Sequence, residues 1–318
     1  MVVNVQSTPS EQTEEGLVHQ ALLYRNPEHL GDVVGRFATD AARTGEPLLV
    51  VLPAATHDLI RNALAPAGAE LHFEDMSERG RNPSCLLDLF EDWISEHDGP
   101  VRVIGEPIWP GRSHAEVVEV LRHEAAINHA LASADVSILC PYDAGHLDAK
   151  VLEGAELTHP RLVTNGTSEA SQRYEDPLEL LAGDRWPQEP RREPISQLDF
   201  AGDLHALRNA VATDPVAENL GRERRADLVF VINEAATNAI KHGDGRCTAR
   251  LWQDGETVVS EVATAAPLAD ALVGRRRPEH SAQSGRGLWL INQVCDLVEL
   301  RSGEHGTTVR MHLRAGAA

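Results

Sequence analysis

The run Leu48-Leu49-Val50-Val51-Leu52 is apolar without interruption and stops at Pro53. A strand with no polar face has to be covered on both sides, which an isolated antiparallel hairpin cannot provide. Comparable short segments recur at 70–73, 101–104 and 136–140, and helical stretches separate them at 28–43, 57–65, 86–96 and 114–132. Strands alternating with helices predict a doubly wound, mostly parallel α/β sheet over residues 16–164. Residues 1–15 read as a polar tail carrying Glu11, Glu14 and Glu15 and no basic residue.

The pattern changes at Asn165-Gly166-Thr167-Ser168. Three prolines, Pro187, Pro190 and Pro194, fall within the nine residues 186–194 among charged neighbours, so 165–194 is expected to be a linker. A second unit over 195–314 shows helical stretches at 201–211, 222–241 and 288–296. Strand patterns lie at 248–253, 257–263, 298–302 and 308–313, and Asp254-Gly255 gives a hairpin turn. Helices beside a mostly antiparallel sheet predict an α+β sandwich.

The 318 residues suit two domains. Lys and Arg number 29 against 49 Asp and Glu, a formal charge of −20, which disfavours direct binding to nucleic acid. No apolar run reaches the roughly 18 residues of a membrane span. The four cysteines, Cys85, Cys140, Cys247 and Cys295, lie far apart without a C-x-x-C pair, as expected of buried thiols in a cytoplasmic chain with no secretory leader.

Three features of the second half carry chemistry. On the helix around 228–240, Leu228, Ile232, Ala235 and Ala239 form one apolar stripe, and Glu234 and Asn238 project together from a neighbouring face. A carboxylate one turn from a carboxamide can hold a hard cation and orient a nucleophile; the same pair also suits a solvated helix face. Ser284-Gly285-Arg286-Gly287 precedes the apolar Leu288-Trp289-Leu290-Ile291, where glycines and a helix N-terminus can receive phosphate, or simply make a tight turn. Gly306-Thr307-Thr308 enters the last strand, which a plain β-turn would also explain.

In this order and spacing the three blocks resemble the GHKL ATPase fold, specifically the anti-sigma-factor serine kinases, over about 204–313. The resemblance implies ATP and Mg²⁺ as cofactors. It would make Asn238 the Mg²⁺ ligand and Glu234 the catalytic base, place Gly285 and Gly287 over the phosphates, and put Thr308 in the nucleotide pocket. His242, Thr264, Arg286 and Leu288 belong to the same expected nucleotide site. It implies as partners a sigma factor, an anti-anti-sigma protein of the STAS type, or both. This sequence departs from the family where an Asp, followed two residues later by Gly, should meet the adenine amino group. Thr264 and Ala266 stand there. A lost buried hydrogen bond costs about 1–3 kcal/mol.

Ten of the fifteen histidines precede residue 165. His123 and His129 are six apart and do not share a helix face, and Ile127 stands where a zinc-protease motif needs histidine. These histidines are therefore read as surface or capping groups. No G-x-x-x-x-G-K-[ST] loop occurs. The segments 24–28, 104–109 and 139–143, with Glu124 and Asn128 between them, resemble the MEDS family, the DcmR-type sensory domain related to RecA-like folds without the phosphate loop. The resemblance implies that a small organic ligand is sensed. Glu106, Trp109, Cys140 and Tyr142 lie just past predicted strand ends, where open α/β sheets bind ligands; with Glu124 and Asn128 they make the expected sensory pocket. Trp109 and Tyr142 packing over the sheet edge is the plainer alternative.

Together these features predict an anti-sigma-factor-like regulator with a sensory domain, acting as a Ser/Thr kinase or as a catalytically silent adaptor, with homodimerisation left open. A sensor histidine kinase, echoed by His123-Glu124, would need a two-helix dimerisation segment where the proline-rich stretch stands.

Overall fold

The computed structural model describes residues 16–64, 67–68, 70–164, 166–183, 185–186, 188–189, 192–193, 196–243, 245–268, 270–278 and 286–315. The expected tail, 1–15, lies outside them. The first half contains β1 (Val18–Tyr24), α1 (Pro27–Thr44), β2 (Leu48–Leu52), α2 (Ala54–Leu64), β3 (Leu71–Asp75), α3 (Met76–Arg79), α4 (Leu86–Ser95), β4 (Val101–Gly105), α5 (His114–Ala130), β5 (Val136–Asp143), α6 (Ala149–Thr158), β6 (Arg161–Thr164), β7 (Thr167–Ala170) and α7 (Pro177–Ala182). Seven strands form one sheet in the order β3-β2-β4-β5-β1-β6-β7. All neighbours are parallel except the β6–β7 pair, which is antiparallel.

Local chemistry sets the helix boundaries. Asn26 caps α1, its Oδ1 accepting from His29 N at 2.8 Å with Pro27 in the first turn, and Gly45 at φ +74° ends the helix. Ser113 and Glu116 form a reciprocal capping box on α5. Helices cover both sheet faces. Leu30, Val34 and Phe37 of α1 pack with Val50, Ile104 and Leu139 on one face. Phe90 of α4 and Val120 and Ile127 of α5 pack with Val51, Val103 and Ile138 on the other.

The stretch expected as a linker is more ordered than its composition suggests. Thr167–Ala170 adds β7 to the sheet edge, and α7, capped by Asp176, buries Leu180 and Leu181 against Ala125 and Ala126 of α5. Its proline-rich part, 186–194, has no helix or strand among its described residues.

The second half contains β8 (Ser196–Ala201), α8 (Leu204–Ala212), α9 (Arg222–His242), β9 (Arg246–Asp254), β10 (Thr257–Thr264), α10 (Arg286–Val294), β11 (Leu297–Gly303) and β12 (Gly306–Arg314). Its five strands are antiparallel in the order β11-β12-β10-β9-β8. The Leu228, Ile232, Ala235 and Ala239 stripe of α9 is buried against Leu251, Val262, Val309 and Met311. The opposite sheet face carries cross-strand ion pairs, with Glu261 between Arg250 and Arg310 and Glu299 against His312.

The halves meet through charge. The fully buried Glu119 of α5 accepts from Arg275 Nη2 at 2.7 Å and Arg301 Nη1 at 2.6 Å. Around it Arg277 chelates Asp92, Arg276 meets Glu91, and Asn82 Nδ2 donates to Asn292 O at 2.9 Å. Removing Glu119 leaves one guanidinium buried and another half-buried without their carboxylate. Glu119→Ala should therefore cost about 3–5 kcal/mol. Arg314→Ala breaks an exposed pair with Glu116 and should cost under about 1 kcal/mol. Chemical denaturation of both variants checks this, and equal losses would contradict it.

Candidate functional site

On α9, Glu234 and Asn238 are half-buried and converge on the first turn of α10. A Cβ placed on Gly287 would lie 3.1 Å from Glu234 Oε2 and 3.2 Å from Asn238 Nδ2, so the glycine lets α10 approach both side chains. The acid and the amide are thus together over a glycine at a helix N-terminus.

Beside them opens a cavity of about 590 Å³. Ala239, Val262, Leu288 and Val309 give it apolar walls, and Asn238, His242, Thr264 and Thr307 supply polar groups. Gly243 ends α9 beside Thr264. A Cβ there would stand 2.7 Å from Ala239 O and 3.0 Å from Thr264 Oγ1. At another edge Arg276 and Arg277 line the cavity, together with Glu91 from α4 of the first half.

Most of the expected nucleotide-site residues therefore gather here. His242 is exposed at the end of α9, Leu288 is buried in the cavity wall, and Arg286 opens α10 on the exposed side. Gly285 lies outside the described residues. Thr308 is a correction: side chains alternate along β12, so Thr307, with Val309 and Met311, faces the cavity layer, while Thr308 lines a cleft on the opposite sheet face. Thr307 Oγ1 donates to Ala266 O at 2.7 Å and so fixes the loop that follows β10. At the position of the family's Asp, Thr264 offers only a hydroxyl.

In the first half the six residues expected as one sensory pocket separate. Glu124, Asn128, Cys140 and Tyr142 come together on one sheet face. His19 of β1 and His159, which follows α6, join them. The structure corrects the reading of the histidines as surface or capping groups: His19, His123 and His159 are all buried. His19 Nε2 is 3.0 Å from Glu124 Oε2, and its Nδ1 is 3.0 Å from Asn128 Oδ1. Burial opposes ionisation of Glu124, but His159 and His19 outweigh it and hold the carboxyl well below the usual range. Burial, then the Glu124 charge, pushes the Cys140 thiol and the Tyr142 phenol well up.

Glu106 and Trp109 lie apart from this group. The Arg112 guanidinium sits 3.9 Å from the Trp109 ring centroid, and Trp109 packs against the core. Glu106 accepts from Tyr24 OH at 2.7 Å, and Tyr24 packs with the core on the opposite face.

Residues 18–160 match the family described as the methanogen/methylotroph, DcmR sensory domain, MEDS, and residues 200–313 match the histidine kinase-like ATPase domain. The chain is a MEDS domain joined to a histidine-kinase-like ATPase domain. No curated protein matches it. One solved structure, of MppP soaked with the product 2-ketoarginine, is 14% identical, covers 89% of this chain and 75% of that one, and has a TM-score of 0.27. A likeness that slight carries no weight.

Within the MEDS domain, Glu106 makes a pH-dependent contribution. Burial raises its carboxyl to about 7, against the Tyr24 hydrogen bond and with help from Asp143. The folded state then holds a proton that the unfolded state has lost between pH 4.5 and about 7, so stability falls as pH rises through that window. Glu106→Gln removes the dependence and keeps an acceptor for Tyr24. Relative to wild type it should gain on the order of 2–3 kcal/mol between pH 4.5 and 7.5. Denaturation curves at both pH values check this, and a pH-independent difference would contradict it.

Proposed function

We propose that this chain is a two-domain regulator in which the MEDS domain, responding to a small organic molecule, sets the state of an ATPase domain that binds Mg²⁺-ATP. On this reading the ATPase domain acts in a sigma-factor circuit, holding a sigma factor or phosphorylating a Ser or Thr of its STAS-type antagonist. The four unpaired thiols suit a cytoplasmic setting. The observation that carries the nucleotide reading is the convergence of Glu234 and Asn238 on Gly287 beside the cavity.

The residues present fit a magnesium-bound triphosphate. Asn238 offers an amide oxygen to a hard cation, Glu234 can take a proton from an attacking hydroxyl, and the start of α10 presents backbone N–H groups to phosphate oxygens. Bound ATP would supply the transferable phosphoryl group. Val262 and Val309 can flank a base, and the Thr264 hydroxyl can accept one hydrogen bond from it, a weaker contact than a carboxylate makes.

The cavity also touches the sensor. Arg276 and Arg277 line it while pairing with Glu91 and Asp92 of α4. The same guanidiniums could turn to phosphates, so occupancy of the cavity and the grip of the MEDS domain would compete for them.

Thr264 and Ala266 favour a second reading, a silent adaptor that uses the ATPase fold only to bind protein. Calorimetry with Mg²⁺-ATP at millimolar concentration separates the two. The kinase reading expects wild type to bind, Asn238→Ala to abolish binding, and Thr264→Asp with Ala266→Gly to tighten it about ten- to a hundredfold. Binding by the double variant alone supports the adaptor. Binding by neither ends the nucleotide reading.

A further inference from the structure

Four buried donors in the MEDS domain have an arrangement that hydrogen bonding alone does not satisfy. His19 comes from β1, Glu124 from α5, Cys140 from β5, and His159 directly follows α6. Their ligand atoms lie within 4.8 Å of one another. Glu124 Oε2 is 3.0 Å from His19 Nε2, 3.4 Å from His159 Nε2 and 3.7 Å from Cys140 Sγ, and Cys140 Sγ is 3.5 Å from His19 Nε2. A tetrahedral Zn²⁺ with ordinary bond lengths separates neighbouring N, O and S ligands by about 3.3–3.6 Å, and these spacings straddle that range.

The outer hydrogen bonds fix where the ring protons are. Asn128 Nδ2 donates to Thr158 O at 2.7 Å and to Glu124 O at 3.0 Å, which turns its Oδ1 towards His19 Nδ1. That nitrogen must carry a proton. His159 Nδ1 lies 2.8 Å from Ala155 O, a pure acceptor, so it too is protonated. In their neutral forms both rings therefore direct an Nε2 lone pair towards the Glu124 carboxylate. Among the described residues His159 Nε2 makes no hydrogen bond. Two lone pairs facing a carboxylate inside a closed core repel unless a proton or a metal ion lies among them, and a metal ion would serve both rings at once. The orienting contacts from Asn128 and the Ala155 carbonyl are the kind that hold metal-binding imidazoles in place.

We propose that His19, Glu124, Cys140 and His159 bind one divalent transition metal of the zinc class in a closed, four-coordinate site. Two imidazoles, a thiolate and a carboxylate suit Zn²⁺ over the harder Mg²⁺ or Ca²⁺. With all four positions filled by protein and no exposed edge, the metal is structural: it ties the two central strands β1 and β5 to α5 and to the end of α6. The proposal does not depend on nucleotide binding.

The full-length chain tests it. Elemental analysis of protein purified with Zn²⁺ present should find about one metal per chain. Exchange for Co²⁺ should give a sulfur-to-cobalt charge-transfer band in the near ultraviolet with the strong visible absorption of tetrahedral cobalt. Cys140→Ser should lose that band, and Cys85→Ser should keep it. Asn128→Ala, which leaves all four ligands, should bind metal about 10–100-fold more weakly in a chelator competition. If Cys140→Ser does not fold, the wild-type spectrum and the Asn128→Ala titration decide. Wild type taking up neither metal would overturn the proposal. So would uptake without the charge-transfer band, or uptake unchanged in Cys140→Ser or in Asn128→Ala.

Discussion

One buried carboxylate registers the two halves of this molecule. Glu119 has no access to solvent, and the charges that balance it come chiefly from Arg275 and Arg301 of the ATPase domain. A buried ion pair of this kind adds little net stability compared with apolar packing, but it penalises any arrangement of the domains that leaves its members apart. Most of the surrounding ion pairs repeat the polarity, with carboxylates on α4 and α5 and guanidiniums at 275–277, 301 and 314, while Arg81 on Asp296 runs the other way. The strongly acidic composition thus has a local use, because the MEDS domain presents acid to a basic edge of its neighbour.

Helix α5 is the element on which these contacts converge. It is buried continuously from Val118 to Asn128, polar residues included, so that stretch has no solvent face. Glu124 and Asn128 reach the histidine cluster on the sheet. Glu119 takes the arginines, and Ala125 and Ala126 pack with Leu272, which also lines the cavity beside Asn238. A rigid rod touching both sites gives a displacement at one a direct mechanical route to the other.

The sequence made the covered strands and amphipathic helices legible, because β2 is an uninterrupted apolar run, β4 is broken only by Arg102, and α9 carries a regular stripe. It hid β1, an interior strand beside β5, because His19 and Gln20 break its apolar pattern; His19 is buried there as part of the cluster. Polar β7 and the six-residue α7 looked like linker because edge strands and short helices show little periodicity. The Glu234–Asn238 pair could be read because helical spacing alone puts the two side chains together. Thr308 was misplaced because a one-residue offset in a strand reverses the face. The histidine cluster was half visible, through Glu124, Asn128 and Cys140. His19 and His159 are 140 positions apart in the chain, and only the parallel pairing of β1 with both β5 and β6 brings them together.

Helix α5 and its Glu119 clamp join the MEDS domain to the cavity beside Asn238. Hydrogen exchange on the full chain, with and without saturating Mg²⁺-ATP, tests this link most directly. Coupling predicts altered protection both around 262–278 and along residues 114–130 of α5. Changes confined to the ATPase domain, with α5 exchanging at the same rates in both states, would contradict it.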